Sequence, residues 1–103
     1  MTLTTAVRTK RNVLLMNDLK VYLAVTEGCS ACKLMEHFLK DLQEEYNYEL
    51  VVCKFDELPV DIRTILPIGD FPTTVVTKSG KVLSHFAGSR TKQYIRDIFN
   101  DIV

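Results

Sequence analysis

Cys29-Ser30-Ala31-Cys32 stands where an apolar run, Leu19 to Val25, gives way to a helical pattern. Cysteines at that spacing carry out thiol–disulfide exchange or bind a metal. Two cysteines three apart at the start of a helix face the same way, so their sulfurs close a disulfide with little backbone movement. A helix N-terminus also presents unpaired N–H groups and the positive end of the helix dipole. Cys29 is therefore expected to be partly thiolate near neutral pH, and the thiolate is the nucleophile. The metal reading needs more ligands than the chain supplies. Structural zinc takes four, usually including a second Cys/Cys or His/His pair, whereas Cys53, His37 and His85 form no such pair. On a helix that starts at Cys29, His37 lies ~12 Å away at ~1.5 Å per residue. No metal site is expected. A purely structural disulfide is disfavoured because so small a loop constrains the unfolded chain little.

The elements that must position this pair alternate between strand and helix. Leu19 to Val25 is short, apolar and rich in β-forming residues, which suits a central strand. Met35, Phe38, Leu39, Leu42 and Tyr46 then recur at helical spacing with Lys33, Glu36, Lys40, Asp41 and Glu44 between them, an amphipathic helix that packs on a sheet. Leu50 to Phe55 reads as a second strand, ended by Asp56 and Pro59 and parallel to the first through a crossover. Mid-strand Cys53 reads as a buried, inert residue rather than a regulatory thiol. A short helix is expected over Asp61 to Leu66, closed by Pro67. Phe71 to Thr77 and Lys81 to Phe86 flank Ser79-Gly80 as an antiparallel hairpin. Thr91 is a candidate N-cap for a last helix whose inward face is Tyr94, Ile95, Ile98, Phe99 and Ile102.

Composition narrows the function classes. The chain has 103 residues, 47% hydrophobic and 25% charged, which fits one domain with a real core. Its formal net charge of zero gives no electrostatic case for nucleic acid or an acidic membrane surface. Arg8, Lys10 and Arg11 form only a small basic flank. The apolar run Val13 to Met16 is too short for a signal-peptide core or a membrane span. Residues 1–17 lack acidic side chains and carry Thr and Arg, as a transit peptide does and as many ordinary N-termini do. Three cysteines without a secretion signal point to a reducing compartment, the cytosol by default.

From about Leu19 to Val103 the chain resembles the thioredoxin family. The resemblance rests on the CxxC at a strand-to-helix junction, on Pro72 about forty residues later, on the Ser79-Gly80 turn, and on Gly88 sixteen residues after Pro72. It implies an α/β thioredoxin fold: a central mixed sheet of four or five strands flanked by helices, in one domain over 1–103. Residues 1–18 would be an extension, or an edge strand around Leu3 to Val7 plus a short helix around Asn12 to Leu15. The resemblance further implies a cis peptide at Pro72. Cys29 would attack a substrate disulfide, and Cys32 would resolve the mixed disulfide. Gly28, Ser30, Ala31, Phe71, Pro72, Thr73, Ala87 and Gly88 would border the substrate, which pairs as an added strand with the backbone before the cis-proline. Gly88 also reads simply as a turn into the last helix. No cofactor beyond the redox-active disulfide is implied, an external reductase or glutathione recycling it. The partners would be protein disulfides and that reductase, and a monomer is expected.

Several positions depart from the family pattern. Thioredoxins usually have Trp before the first cysteine and Gly-Pro between the two, where this chain has Gly28 and Ser30-Ala31. The potential is thus open over roughly −120 to −270 mV. The family buries an acid six residues before the first cysteine, and here that position is Leu23. Either Glu27 or water takes over its proton transfer, or Cys32 is slow to activate. Lys33 reads as a solvated helix residue, though a nearby cation lowers a thiol pKa. Two rivals follow. The length and the missing tryptophan suit a glutaredoxin-like, glutathione-dependent reductase, but Thr-Val-Pro and a Gly-Gly followed by Asp are absent, Gly88-Ser89-Arg90 being a loose substitute. The other rival is a binding module on the same fold whose dithiol is idle.

Overall fold

The computed structural model describes residues 18–66 and 70–102. The expected edge strand and helix at Leu3 to Val7 and Asn12 to Leu15, and the closure at Pro67, lie outside them. β1 (Leu19–Val25) is followed by α1 (Ser30–Tyr46), β2 (Glu49–Lys54), one 3₁₀ turn (Phe55–Glu57), α2 (Val60–Ile65), β3 (Thr73–Lys78), β4 (Lys81–Ala87) and α3 (Lys92–Ile102). The four strands form a mixed sheet in the order β2-β1-β3-β4. β1 pairs in parallel with β2 and antiparallel with β3, and β3 pairs antiparallel with β4.

Five of the seven β1 residues are aliphatic, because both faces of the strand are largely covered, with only Lys20 charged. Leu19, Val21 and Leu23 point into a core with Met35, Leu39 and Leu42 of α1 and Ile95 and Phe99 of α3. Ala24 points the other way, to Leu58, Ile62 and Leu66 around α2. This is the alternation of a strand, read against helices on both sides. α1 ends at Asn47, whose left-handed backbone (φ 54°) directs its N–H to the Gln43 carbonyl. Tyr48 then donates its hydroxyl to the Leu39 carbonyl, and burial pushes that phenol's pKa up, helped by Glu45. α1 and α3 are clipped together by Lys92–Asp41 at 2.7 Å and Arg96–Glu45 at 3.0 Å.

Several expected boundaries shift for local reasons. The second strand ends at Lys54, because Phe55 to Glu57 turn into a 3₁₀ helix in which the Glu57 carboxylate accepts the Lys54 N–H at 2.8 Å. The short helix starts at Val60, one residue earlier than expected, right after Pro59. β3 begins at Thr73 rather than Phe71, since Phe71-Pro72 form a bend with no proline N–H to enter a ladder. In β4 a bulge opposite Val76/Thr77 leaves Leu83 unpaired and exposed. It turns Val82 to the α2 side, where it packs on the smaller core. The inward face of α3 is narrower than expected: Ile95 and Phe99 are buried, but Tyr94 is 42% exposed.

Candidate active site at one end of the sheet

β1 delivers the chain to a turn at Glu27-Gly28, where Gly28 has φ +69°, a conformation that L side chains adopt at a cost. Cys29 follows with extended backbone (φ −102°, ψ 103°) as the N-cap of α1, one position before the helix proper. Its sulfur accepts the Cys32 N–H at 3.1 Å and so fills the role usually taken by a capping hydroxyl or carboxylate. The two sulfurs are bonded as a disulfide across a Cα–Cα distance of 5.2 Å, inside the usual span. The pair is asymmetric. Cys29 is half-exposed, whereas Cys32 is only 4% exposed beneath the first turn. Ser30 is exposed and Ala31 half-buried beside them.

The sheet register brings the remaining expected residues to this same end. Ala24 of β1 lies opposite Thr73, and Thr73 lies opposite Ala87. The C-terminal end of β1, the N-terminal end of β3 and the C-terminal end of β4 therefore leave the sheet together, carrying Gly28-Cys29, Phe71-Pro72 and Ala87-Gly88. The Phe71–Pro72 peptide is cis. Pro72 is buried, and its carbonyl accepts the Gly88 N–H at 2.8 Å, which ties the two loops. Gly88 has φ +80° and stands in the loop that leads from β4 to α3. Phe71 is half-buried and meets Phe55 edge-to-face at 6.4 Å. The Thr73 hydroxyl donates to the Asp70 carbonyl at 2.7 Å, which fixes the bend before the strand.

Around the dithiol the side chains are apolar or solvated. Leu23 is fully buried, and the flanking Glu27 is exposed to solvent. Opposite Leu23 in the register stands Thr74, 0% exposed, whose hydroxyl has no hydrogen-bond partner among the described residues. His37 lies on the exposed side of α1 against Asp41 at 3.5 Å. Cys53 is half-buried against the core on the α2 side. Burial, with Glu57 and Asp56 nearby, raises its pKa. No helix among the described residues is long and apolar enough to cross a membrane.

One feature beside the site was not expected from the sequence. Leu34, Phe38, Arg90 and Tyr94 line a groove that begins two residues after Cys32 and one residue after Gly88. Tyr94 reads as a core position because it shares helical spacing with Ile95 and Ile98. The visible signal was Leu34, an apolar residue off the Met35–Leu39–Leu42 stripe.

Comparison with known proteins agrees with this geometry. The family model for thioredoxin matches residues 5–101. Mitochondrial thioredoxin 3 of Saccharomyces cerevisiae superposes with a TM-score of 0.65 at 28% identity, over 84% of this chain and 80% of that one. A chain from a structure describing thiol resolution in yeast mitochondrial 1-Cys peroxiredoxin via glutathione/thioredoxin systems gives 0.65 at 26% identity, over 84% and 80%. The reduced Schistosoma mansoni thioredoxin pre-protein shares the fold, with a TM-score of 0.68 at 24% identity over 84% and 81%.

Proposed function

This chain belongs to the thioredoxin family, and we propose that it reduces protein disulfides through Cys29 and Cys32. Family membership together with the CxxC pair supports thiol–disulfide oxidoreductase activity in general. The observation that supports the specific roles is the asymmetry of the pair. Cys29 caps the helix within reach of solvent, and Cys32 is buried one turn on.

In the reduced protein the Cys29 thiolate, stabilised by the helix start and by the Cys32 N–H, attacks one sulfur of a substrate disulfide. A mixed disulfide forms and one substrate thiolate leaves. Cys32, after losing its proton, attacks the Cys29 sulfur, releases the second substrate thiolate and closes the Cys29–Cys32 disulfide. The substrate gains two electrons and two protons, and the protein loses them. An external dithiol reductase or glutathione then restores the pair. The substrate backbone lies along Phe71-Pro72-Thr73, with Gly28, Ser30 and Ala31 on one side and Ala87-Gly88 on the other. Leu23 cannot carry the second proton, so this reading has water or the exposed Glu27 receive it. The protein works as a monomer in the cytosol, without a bound metal.

The test is trapping. Cys32→Ser should hold a disulfide peptide as a stable adduct through Cys29, visible by mass spectrometry and reversed by dithiothreitol. Cys29→Ser should neither form the adduct nor reduce the peptide. Equal trapping by both variants would overturn the roles, and trapping by neither would favour an idle dithiol on a binding module. Turnover that requires glutathione and is saturable in it would favour the glutaredoxin-like alternative.

A further inference from the structure

The groove beside the dithiol has a volume of about 630 Å³. Leu34 and Tyr94, 45% and 42% exposed, form its apolar walls with Phe38 at its floor. Two cations stand on its rim, and they differ in availability. Lys92 lies over the Phe38 ring at 5.7 Å and is already paired with Asp41 at 2.7 Å. Arg90 holds its guanidinium over the Tyr94 ring, 5.3 Å from the ring centre, and its only side-chain hydrogen bond among the described residues goes to the Ser89 carbonyl at 3.2 Å. No carboxylate among the described residues pairs with it. A planar guanidinium held over an aromatic ring beside an apolar groove is suited to donate two parallel N–H bonds to a carboxylate. A second, smaller depression of about 450 Å³, on the segment that leads from β1 to Gly28, has the other character. There Glu27 and Asp56, with Lys54, form the edge against Phe55 and Phe71.

We propose that this groove selects protein disulfides in which an aliphatic or aromatic side chain next to an acidic residue lies close to the attacked cysteine. The apolar side chain fills the space between Leu34 and Tyr94, and the carboxylate meets Arg90. The same acidic segment is repelled by Glu27 and Asp56, so the charge contrast between the two depressions sets the direction in which the substrate lies. The position suits this role, because the groove borders both the end of the CxxC turn and the Gly88 loop. The proposal rests on the disulfide-reductase reading and names its substrate class.

The test uses the pre-reduced full-length protein and synthetic peptides closed by one disulfide. The peptides carry a Leu-Asp-Asp, Leu-Lys-Lys or Ser-Asp-Asp tail on either side of the ring, with hydroxyethyl disulfide as a small neutral probe. A Leu-Asp-Asp peptide should be reduced with a kcat/KM about tenfold above its Leu-Lys-Lys counterpart at low salt, a gap that narrows as salt screens the charge. Ser-Asp-Asp should fall between the two. Arg90→Gln should close the gap, and Arg90→Glu should reverse the order. Equal rates for all peptides, or an order unchanged in Arg90→Glu, would overturn the proposal. If hydroxyethyl disulfide is reduced while the peptides show no preference, the reductase reading stands and the groove assignment falls. If the wild-type protein reduces none of the probes, both fall.

Discussion

Three cysteines in one short chain face three different environments, and the chemistry of each follows from its place. Cys29 sits on the N-terminus of a seventeen-residue helix with a backbone N–H directed at its sulfur. In the reduced protein both features stabilise the thiolate, so the midpoint of its alkylation rate against pH should fall below the ordinary ~8.5. Cys53 is the internal control. Its partial burial, and secondarily Glu57 and Asp56, favour the neutral thiol, so its alkylation should set in above that pH and lag at neutrality. Iodoacetamide labelling with peptide mapping reads both midpoints, and a Cys53 midpoint below that of Cys29 would contradict the assignment. Thr74 gives a second prediction. A fully buried hydroxyl with no partner among the described residues is destabilising, whereas Thr77 in the same strand donates to the Lys20 carbonyl at 2.8 Å. Thr74→Val keeps the shape and removes the orphan. It should stabilise the protein by about 1 kcal/mol, a rise in melting temperature of roughly 4 °C, while Thr77→Val should destabilise it. A lower melting temperature for Thr74→Val would mean that the hydroxyl is used.

Elements were legible in the sequence wherever a covered face repeats. β1 runs over Leu19–Val25, as its richness in apolar and β-forming residues predicts, and the α1 stripe of Met35, Leu39 and Leu42 faces the core. Thr91 caps α3 through a 3.1 Å bond from the Tyr94 N–H. Less legible were features that depend on a partner strand. The β4 bulge at Leu83 exists only through the register with Val76 and Thr77, and nothing in Lys-Val-Leu-Ser-His-Phe marks it. The 3₁₀ turn at Phe55–Glu57 turns on one side-chain acceptor, Glu57. The α1–α3 clip also has a pH signature. The hydrogen bonds from Lys92 to Asp41 and from Arg96 to Glu45 hold both carboxyls below their usual range. Depressed folded-state values mean that the stabilisation is present above the unfolded-state values and is lost as pH falls through the folded-state ones. Melting temperature should therefore decline from about pH 4 downward. The Asp41→Asn/Glu45→Gln double variant should decline less steeply, and high salt should shrink the difference. Parallel acid limbs for the two proteins would show that the clip contributes nothing.

At the scale of the molecule, the candidate site is assembled by topology from segments far apart in the chain. The sequence contained its parts in Cys29, Cys32, Pro72 and Gly88, and the resemblance to a family supplied their arrangement. The structure adds why they converge: β1 and β4 finish and β3 starts at one end of the sheet, and the Gly88 N–H bonds to the Pro72 carbonyl there. The groove at Leu34 and Tyr94 stayed hidden because helical spacing alone assigns Tyr94 to the core, while the loop from Gly88 to Thr91 decides which side of α3 stays open. The replacement of the family's buried acid by Leu23 was legible, and Leu23 is found in the apolar core. The central claim is that Cys29 and Cys32 cycle as a reducing pair. Its most direct measurement is the equilibrium titration of the protein in defined thiol buffers, with alkylation of free thiols and mass readout. The account predicts one reversible two-electron transition confined to Cys29 and Cys32, toward the thioredoxin end of the scale at about −270 mV, with Cys53 a thiol throughout. A pair that never re-forms its disulfide, or one that titrates near −120 mV as a strong oxidant does, would contradict it.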